Sequence, residues 1–319
     1  MITLNGYTTT FEKEICGVGK RKPETNDKEE EMHASPTATW ELHGAQAMMW
    51  GRPTNWSTAS LTEEGSQEKA REVVGLLGEL ATEYNLNRIL SPTVSDFNSR
   101  FLNDAEQYPR QLTLPGTACK LHRGLRGDGF EIHPGDAGIV APADCAIVVV
   151  TTASGRVFML HAGRDSLVDR QLLDKRVESK DDASIIFTTW KQLNQKERQT
   201  SEWYILPSIS AGAHFEHCFD DPKWGESNEH LVAHLLKRYG HACVQGHPSR
   251  GRISIPDVIA TQLVQECGAD PDQINVDGRC TCTEVGSDGT YVWHSNARAV
   301  RTSGDHLARN LVVVMNTKN

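Results

Sequence analysis

The sequence predicts an α+β fold, in which a mixed β-sheet is flanked by helices and a central β-hairpin carries a cysteine and a histidine. Two observations support this prediction. Strand-like apolar runs and amphipathic helical stretches are interspersed along the chain without the regular alternation of a βαβ fold. Two of the apolar runs, 146–152 and 156–160, are separated by the turn-forming residues Ala153, Ser154 and Gly155.

Hydrophobic periodicity predicts the remaining elements in order along the chain. Ser227 is a candidate helix cap, and Pro256 and Gly268 are suited to the start and end of a later helix. The predicted helices are 67–85, 167–177, 227–239 and 255–267. The predicted strands outside the hairpin are 111–122 (interrupted by a Pro-Gly turn), 184–190, 203–209 and 310–315.

Composition sets the class of protein and its domain organisation. Residues 20–38 are charged and polar with little to bury, so we expect 1–38 to be a flexible leader and 39–319 to be a single domain. A net charge of −9 disfavours nucleic acid or an anionic membrane as the main partner. The sequence shows neither a secretory signal nor a membrane-spanning run, and apart from Cys280 and Cys282 its eight cysteines are scattered. These features predict a cytoplasmic location.

The hairpin places two chemically active residues near each other. Cys145 precedes the first strand and His161 follows the second. Counting outward from the turn brings them within about one residue of being opposite, where Cβ atoms lie roughly 4.5–5.5 Å apart. The pair could share a metal ion or act as a nucleophilic thiol and its base. The alternative is a buried apolar cysteine and a hydrogen-bonded core histidine.

A third ligand would turn this pair into a zinc site. His122 is the candidate, with His133 as its competitor. One Cys and two His leave the fourth position of zinc open, as in catalytic sites. We interpret the His/Cys cluster at 214–218 as structural and the Gly-rich stretch 123–129 as a flexible loop.

Several motifs over residues 110–319 resemble the family of multicopper polyphenol oxidase, or laccase-domain, proteins, now understood as zinc-dependent purine nucleoside enzymes. The resemblance is carried by motifs in the family's order: Lys120-Leu121-His122-Arg123-Gly124, Ala143-Asp144-Cys145 with its apolar strand, His161-Ala162-Gly163, Pro207-Ser208-Ile209, Cys280-Thr281 and His294-Ser295-Asn296-Ala297-Arg298. The family's Trp-Arg-Gly is replaced here by Arg164-Asp165-Ser166.

The resemblance implies a function and roles for individual residues. It implies an enzyme whose zinc is held by His122, Cys145 and His161. Its reaction would be phosphorolysis of purine nucleosides such as adenosine or inosine, with adenosine deamination as a further activity. Purine nucleoside and phosphate are then the partners. Arg298 and Arg164 become contacts for substrate or phosphate, and Asp144 orients a ligand or accepts a proton.

Three other functions compete with this one. The Cys–His hairpin also resembles deamidase toxins of the cytotoxic necrotizing factor type, in which Cys145 would be the nucleophile and His161 its base, without metal. His122 distinguishes the two, because only a metal site needs it. A copper oxidase is disfavoured because the sequence lacks His-x-His pairs. The altered central motif also permits a non-catalytic binding protein that retains zinc.

Overall fold

The computed structural model describes residues 35–58, 67–94, 99–102, 108–169, 173–174, 184–214, 216–218, 220–221, 225–247, 249–304 and 308–318. All of them belong to one compact unit, His33–Asn319. The predicted leader falls almost entirely outside the described residues and stays a prediction. The described residues form sixteen strands, numbered along the chain, and seven α-helices. The predicted α+β class is confirmed.

The first sheet has seven strands in the order β1-β2-β16-β8-β3-β6-β5. Strand β3 is parallel to both neighbours, and the other pairs are antiparallel. The outer face of this sheet is covered by helix α1 (Gln67–Glu83). The strands are β1 (Ala38–Leu42), β2 (Ala45–Trp50), β3 (Arg88–Thr93), β5 (Arg110–Thr113), β6 (Lys120–Arg126), β8 (Asp136–Val140) and β16 (Leu311–Asn316).

The second sheet has six strands in the order β15-β11-β9-β10-β7-β4. These strands are β4 (Phe101–Leu102), β7 (Gly129–Ile132), β9 (Ala146–Thr151), β10 (Val157–Ala162), β11 (Glu202–Ile205) and β15 (Ile274–Val276). A small third sheet has the order β12-β14-β13. Its strands are β12 (His217–Cys218), β13 (Val244–His247) and β14 (Arg250–Ile253).

The other helices pack mainly beside the second and third sheets. They are α2 (Arg164–Leu167), α3 (Ile185–Gln192), α4 (Gln195–Thr200), α5 (Gly225–Tyr239), α6 (Ile255–Thr261) and α7 (Asn296–Thr302). None of the described helices is long and apolar enough to cross a membrane.

The two large sheets pack face to face, and this arrangement positions the site. Along β9, Ile147 and Val149 belong to the cluster between the sheets, whereas Val148 and Val150 belong to the cluster on the helical side. Both faces of this strand are therefore buried, which explains its uninterrupted apolar sequence. Because side chains alternate along a strand, Cys145 continues the row that points between the sheets.

Most predicted elements are confirmed, and one is wrong. The predicted hairpin corresponds to β9 and β10, and the predicted helix at 67–85 corresponds to α1. Most of the predicted helix at 167–177 lies outside the described residues. The predicted strand at 184–190 is instead helix α3, which begins at the cap Ser184, whose side chain accepts a hydrogen bond from the backbone N–H of Ile186. Its apolar residues pack at helical spacing, which a short β-branched run conceals.

Gly51, directly after β2, lies where a larger side chain has no room. A Cβ atom on Gly51 would lie 2.2 Å from the carbonyl oxygen of Val292 and 2.9 Å from the ring of the fully buried Trp293. Gly51→Ala is therefore expected to lower the free energy of unfolding by about 2–3 kcal/mol, because backbone cannot yield cheaply. Urea denaturation checks this. Gly278→Ala is the control, since its added Cβ meets nothing within 4 Å, and an equal loss in both variants would contradict the packing argument.

Candidate active site

The register of the hairpin brings Cys145 and His161 together diagonally. His161 pairs with Ile147, so Cys145 is two positions further along and faces Gly163. The sequence-based estimate of one residue was therefore short by one. Side chains on the same face at such a diagonal can still meet when one is long. Here the thiol and the imidazole approach each other beside Gly163.

Gly163 makes this contact possible. A Cβ atom at this position would lie 3.1 Å from Cys145 Sγ and 3.0 Å from His161 Cε1. Any larger residue would occupy the space in which the thiol and the ring approach each other. The glycine therefore has a steric role beside the pair.

A buried carboxylate completes the arrangement. Asp128 Oδ1 lies 3.1 Å from His161 Nδ1, and the backbone N–H of His161 donates to the Asp128 carbonyl at 2.7 Å. The Asp128 side chain has no exposed surface, and that of His161 is 13% exposed. Asp128 therefore holds Nδ1 of the imidazole, and Nε2 is left for Cys145.

Asp128 was missed by the sequence analysis, which placed it in a flexible loop. The residue comes immediately before β7, and that strand pairs with β10 through Gly129 and Leu160. The backbone N–H groups of Asp128 and Gly129 both donate to the carbonyl of Arg100. An Asp-Gly pair directly before an apolar strand was the available signal, but its partner strand could not be read locally.

The charges at the site determine the protonation of His161. Burial alone lowers the pKa of His161. The charge interaction with Cys145 and the interactions with the Asp128 carboxylate outweigh burial and raise the pKa of His161 to about 10. At neutral pH the His161 ring is therefore an imidazolium.

Replacing Asp128 tests this electrostatic arrangement. Asp128→Asn is expected to lower the pKa of His161, because the stabilising negative charge is removed while the shape is kept. NMR titration of the imidazole should show the proton leaving well below pH 10. Glu131→Gln, in the half-buried ion pair of β7 with Arg156, is the control. An unchanged His161 pKa in Asp128→Asn would contradict the assigned geometry.

The predicted residue Asp144 is held by the scaffold. Its Oδ1 accepts from Thr281 Oγ1 at 2.9 Å, and its Oδ2 accepts from the backbone N–H of Ala297 at 2.8 Å. Both carboxylate oxygens thereby tie the residue before Cys145 to distant parts of the chain. In this structure Asp144 positions Cys145.

Arg298 also holds backbone segments in place. Its Nη1 donates to the carbonyl of Cys282 at 2.8 Å and more weakly to that of Thr281, and its Nη2 donates to that of Trp293. The residue is buried, and its guanidinium stacks on the Tyr291 ring at 3.9 Å. These contacts fix the loop that carries Thr281, and nothing in them supports the predicted role in phosphate binding.

Arg164 lies at the start of α2, next to Gly163. Its Nη1 is 2.9 Å from His217 Nε2, and two longer contacts of 3.3 Å join it to Asp165. His217, in the segment interpreted as structural, is fully buried and contacts His214 edge to face. The predicted site residue Arg164 therefore follows His161 by three positions in the sequence.

The third predicted zinc ligand lies in the first sheet. His122 is in the middle of β6, in register with Leu90 of the cluster between the two sheets, and packs edge-on against Tyr108. Its role as a ligand stays a prediction. Burial and the cations Arg88 and Lys120 lower its pKa. Its competitor His133 lies in the turn between β7 and β8.

A zinc site needs several His, Cys, Asp or Glu side chains close together. Among the described residues, no group of three or more His, Cys, Asp or Glu side chains could hold a metal ion. Cys145 and His161 supply two donors, and the nearby carboxylate is on the far nitrogen of His161. Cys145 and His161 therefore supply two of the three protein ligands that a catalytic zinc site needs, and His122 stays a predicted third.

The fold and the site together define a class of protein: two mixed sheets packed face to face, with a Cys–His hairpin in the second sheet and an aspartate behind the histidine. Known structures share this fold. Hypothetical protein YfiH from Bacillus licheniformis matches with a TM-score of 0.57 and 15% identity, over 85% of this chain and 92% of that chain. Protein NMB0706 of Neisseria meningitidis, from the DUF152 family, matches with a TM-score of 0.55 and 14% identity, over 88% and 99%.

YlmD from Geobacillus stearothermophilus is a third match, with a TM-score of 0.53 and 14% identity over 86% of this chain and 93% of that chain. These neighbours are YfiH/DUF152 proteins, the laccase-like polyphenol oxidase family. At such identities the likeness establishes the fold, and it agrees with the resemblance in the sequence. No family model and no curated protein sequence matches the chain.

Proposed function

We propose that this protein is a thiol-dependent hydrolase or acyl transferase that acts on an amide or ester. Cys145 is the nucleophile, His161 is the general acid and base, and Asp128 orients the imidazole. The observation that carries the proposal is that Asp128 Oδ1 lies 3.1 Å from His161 Nδ1, while the His161 ring and Cys145 Sγ meet beside Gly163. A nucleophile within reach of a base that a third group orients is the recurring arrangement of covalent catalysis.

The arrangement supports a two-step reaction. The Cys145 thiolate attacks the substrate carbonyl and forms a tetrahedral intermediate. As the bond to the leaving group breaks, the His161 imidazolium gives its proton to the departing amine or alcohol, and a thioester to Cys145 remains. Water then attacks the thioester and gives a proton to His161. The carboxylic acid leaves, and Cys145 is again a thiolate beside the His161 imidazolium.

Asp128 contributes by holding the His161 ring in the form that carries a proton on Nδ1. Its carboxylate accepts a hydrogen bond from Nδ1–H of His161, which keeps Nε2 available for proton exchange with the sulfur and the leaving group. The negative charge also stabilises the imidazolium of the resting enzyme. Asp144 keeps the peptide before Cys145 in place through its two hydrogen bonds.

The second candidate function is phosphorolysis or deamination of purine nucleosides, and the fold shared with YfiH/DUF152 proteins favours it. The same two side chains would then serve as metal ligands, and a carboxylate behind a ligating histidine is common in such sites. It ranks second because the described residues bring no third ligand to Cys145 and His161.

One experiment separates the two candidates. The protein is incubated with a panel of activated esters and aryl amides, quenched in acid and mapped by peptide mass spectrometry, while its metal content is measured in parallel. The proposal expects an acyl adduct on the Cys145 peptide, absent in Cys145→Ala, and metal well below one equivalent. Stoichiometric zinc that is lost in Cys145→Ala and His161→Ala, together with turnover of adenosine or inosine with phosphate, would overturn it in favour of the second candidate.

A further inference from the structure

Arg123, on β6, has a guanidinium group whose hydrogen-bonding capacity the described residues use only in part. Its Nη2 donates to the carbonyl of Thr58 at 2.8 Å. Its Nε and Nη1 atoms are buried, and among the described residues neither of them has a hydrogen-bond partner. A buried donor without an acceptor costs free energy, and the cost is larger for a charged group. Such an arrangement indicates a place where an acceptor binds.

A second positive charge lies directly opposite on the edge strand β5. Arg110 pairs with Arg123 across the two antiparallel strands. Side chains at directly opposite positions share a face of the sheet, and like charges there are destabilising. Burial, and after it the positive charge of Arg110, lowers the pKa of Arg123. Two guanidinium groups on one face, one of them with buried donors, are stabilised by an anion between them.

Gly124 brings the two strands close at this point. Its φ of 98° favours glycine, and a Cβ atom there would lie 2.8 Å from Pro109 Cγ and 3.8 Å from Arg110 Cγ. The start of β5 therefore packs tightly against the residue after Arg123. The glycine has this steric role in a segment that sequence reasoning assigned to a flexible loop.

A neutral hydroxyl lies on the same face. Ser91 of β3 is in register with Arg123 on the neighbouring parallel strand and is 2% exposed. Residues in register share a face of the sheet, so the hydroxyl can donate to a group bound beside Arg123. Water could also accept from the guanidinium, but only an anion compensates its charge.

This face of the first sheet is separate from the reactive pair. Leu121, two positions before Arg123 on the same strand, belongs to the cluster beneath α1, whereas Ile147, in the row of Cys145, belongs to the cluster between the sheets. Arg123 is itself partly exposed, and all four residues of β5 are exposed. An anion can therefore approach from solvent over this edge strand.

We propose that Arg123 and Arg110 form a binding site for an oxyanion, a carboxylate or phosphate group, on the outer face of the first sheet, with Ser91 as a further donor. Guanidinium groups bind both kinds of oxyanion through paired N–H groups. The site does not rest on the proposed thiol chemistry. An anion bound there links β3, β5 and β6 and stabilises the folded protein, because the unfolded chain has no such site.

Calorimetric titration of the full chain tests the site directly. Inorganic phosphate and acetate are titrated separately, with the ionic strength kept constant by chloride. Arg123→Met is expected to weaken the binding at least tenfold, as the loss of a charge-assisted hydrogen bond implies. Arg126→Met, an exposed arginine on the same strand, is the matched control and should bind like wild type. The anion with the lower Kd identifies the group that the site prefers.

Thermal unfolding distinguishes a binding site from an arginine that only supports the fold. In chloride alone, Arg123→Met should unfold at the same temperature as wild type or above it, because an apolar side chain of similar length replaces an uncompensated buried charge. At about 100 times the Kd of the preferred anion, the wild-type Tm should rise by about 5 °C, and that of Arg123→Met should not. A purely structural arginine would instead give the variant a lower Tm in both buffers.

Three results would overturn the site: no binding of either anion to wild type, equal affinities of wild type and Arg123→Met, or a lower Tm of this variant in both buffers. Alkylation of Cys145 by iodoacetamide checks the location and should stay within about twofold when the anion is added. Protection of Cys145 that persists in Arg123→Met would place the anion at the reactive pair instead. Absence of an acyl adduct on Cys145 would overturn the proposed function and leave this site standing.

Discussion

Replacement of Cys145 by serine is expected to lower turnover of an amide or ester substrate by at least about 10⁴-fold, the loss seen when a member of a nucleophilic triad is removed. A hydroxyl is a far weaker nucleophile than a thiolate. Substrate binding should change little, because the two side chains differ by one atom. Steady-state kinetics on the substrate found in the acylation panel would show the loss in kcat.

The control for this variant is Cys243→Ser. Cys243 is a buried thiol whose pKa is raised by burial, and it belongs to the core cluster on the helical side of the second sheet. Its replacement should cost some stability but leave kcat within about threefold, since a residue remote from the reacting atoms adds little to transition-state stabilisation. Equal kinetics of Cys145→Ser and wild type would exclude Cys145 as the nucleophile.

Gly163→Ala is expected to produce the second large effect, a loss of roughly tenfold in the acylation rate. The added methyl group would lie at 3.1 Å from Cys145 Sγ and 3.0 Å from His161 Cε1, so the thiol or the ring must shift by a few tenths of an ångström. Catalytic rates are sensitive to displacements of this kind, since about 1 Å can cost 10²-fold. Stopped-flow acylation measures it directly.

The matched control is Gly212→Ala, because a Cβ at Gly212 meets nothing within 4 Å. This variant should acylate at the wild-type rate. The free energy of unfolding of Gly163→Ala should also be measured, since a loss of activity that simply follows a loss of folded protein would not support the steric role of Gly163.

The part of the site that the sequence could predict is the part that is local. Cys145 and His161 lie on consecutive strands joined by a short turn, so their proximity follows from counting residues outward from that turn. Gly163 was present in the motif, but its function depends on the two-residue offset of the register. That offset could not be obtained from the turn alone.

Long-range pairing decides the rest. Asp128 reaches His161 only because β7 pairs with β10. Asp144 accepts a hydrogen bond from Thr281, which is 137 positions away in the sequence. The strand predicted at 184–190 is a helix because its capping serine and its packing partners outweigh β-branched composition. His122 could be aligned with a family motif, but its position relative to the hairpin depends on how the two sheets pack, which no local pattern contains.

The burial of β9 on both faces has a consequence for how the protein loses its activity. A central strand with every residue buried is among the last segments to exchange its amide hydrogens, because its opening requires that both layers separate. Cys145 and His161 are attached to the ends of this strand and of its neighbour. Local fraying elsewhere should therefore leave the reactive centre assembled, and heat inactivation should coincide with cooperative unfolding of the whole domain.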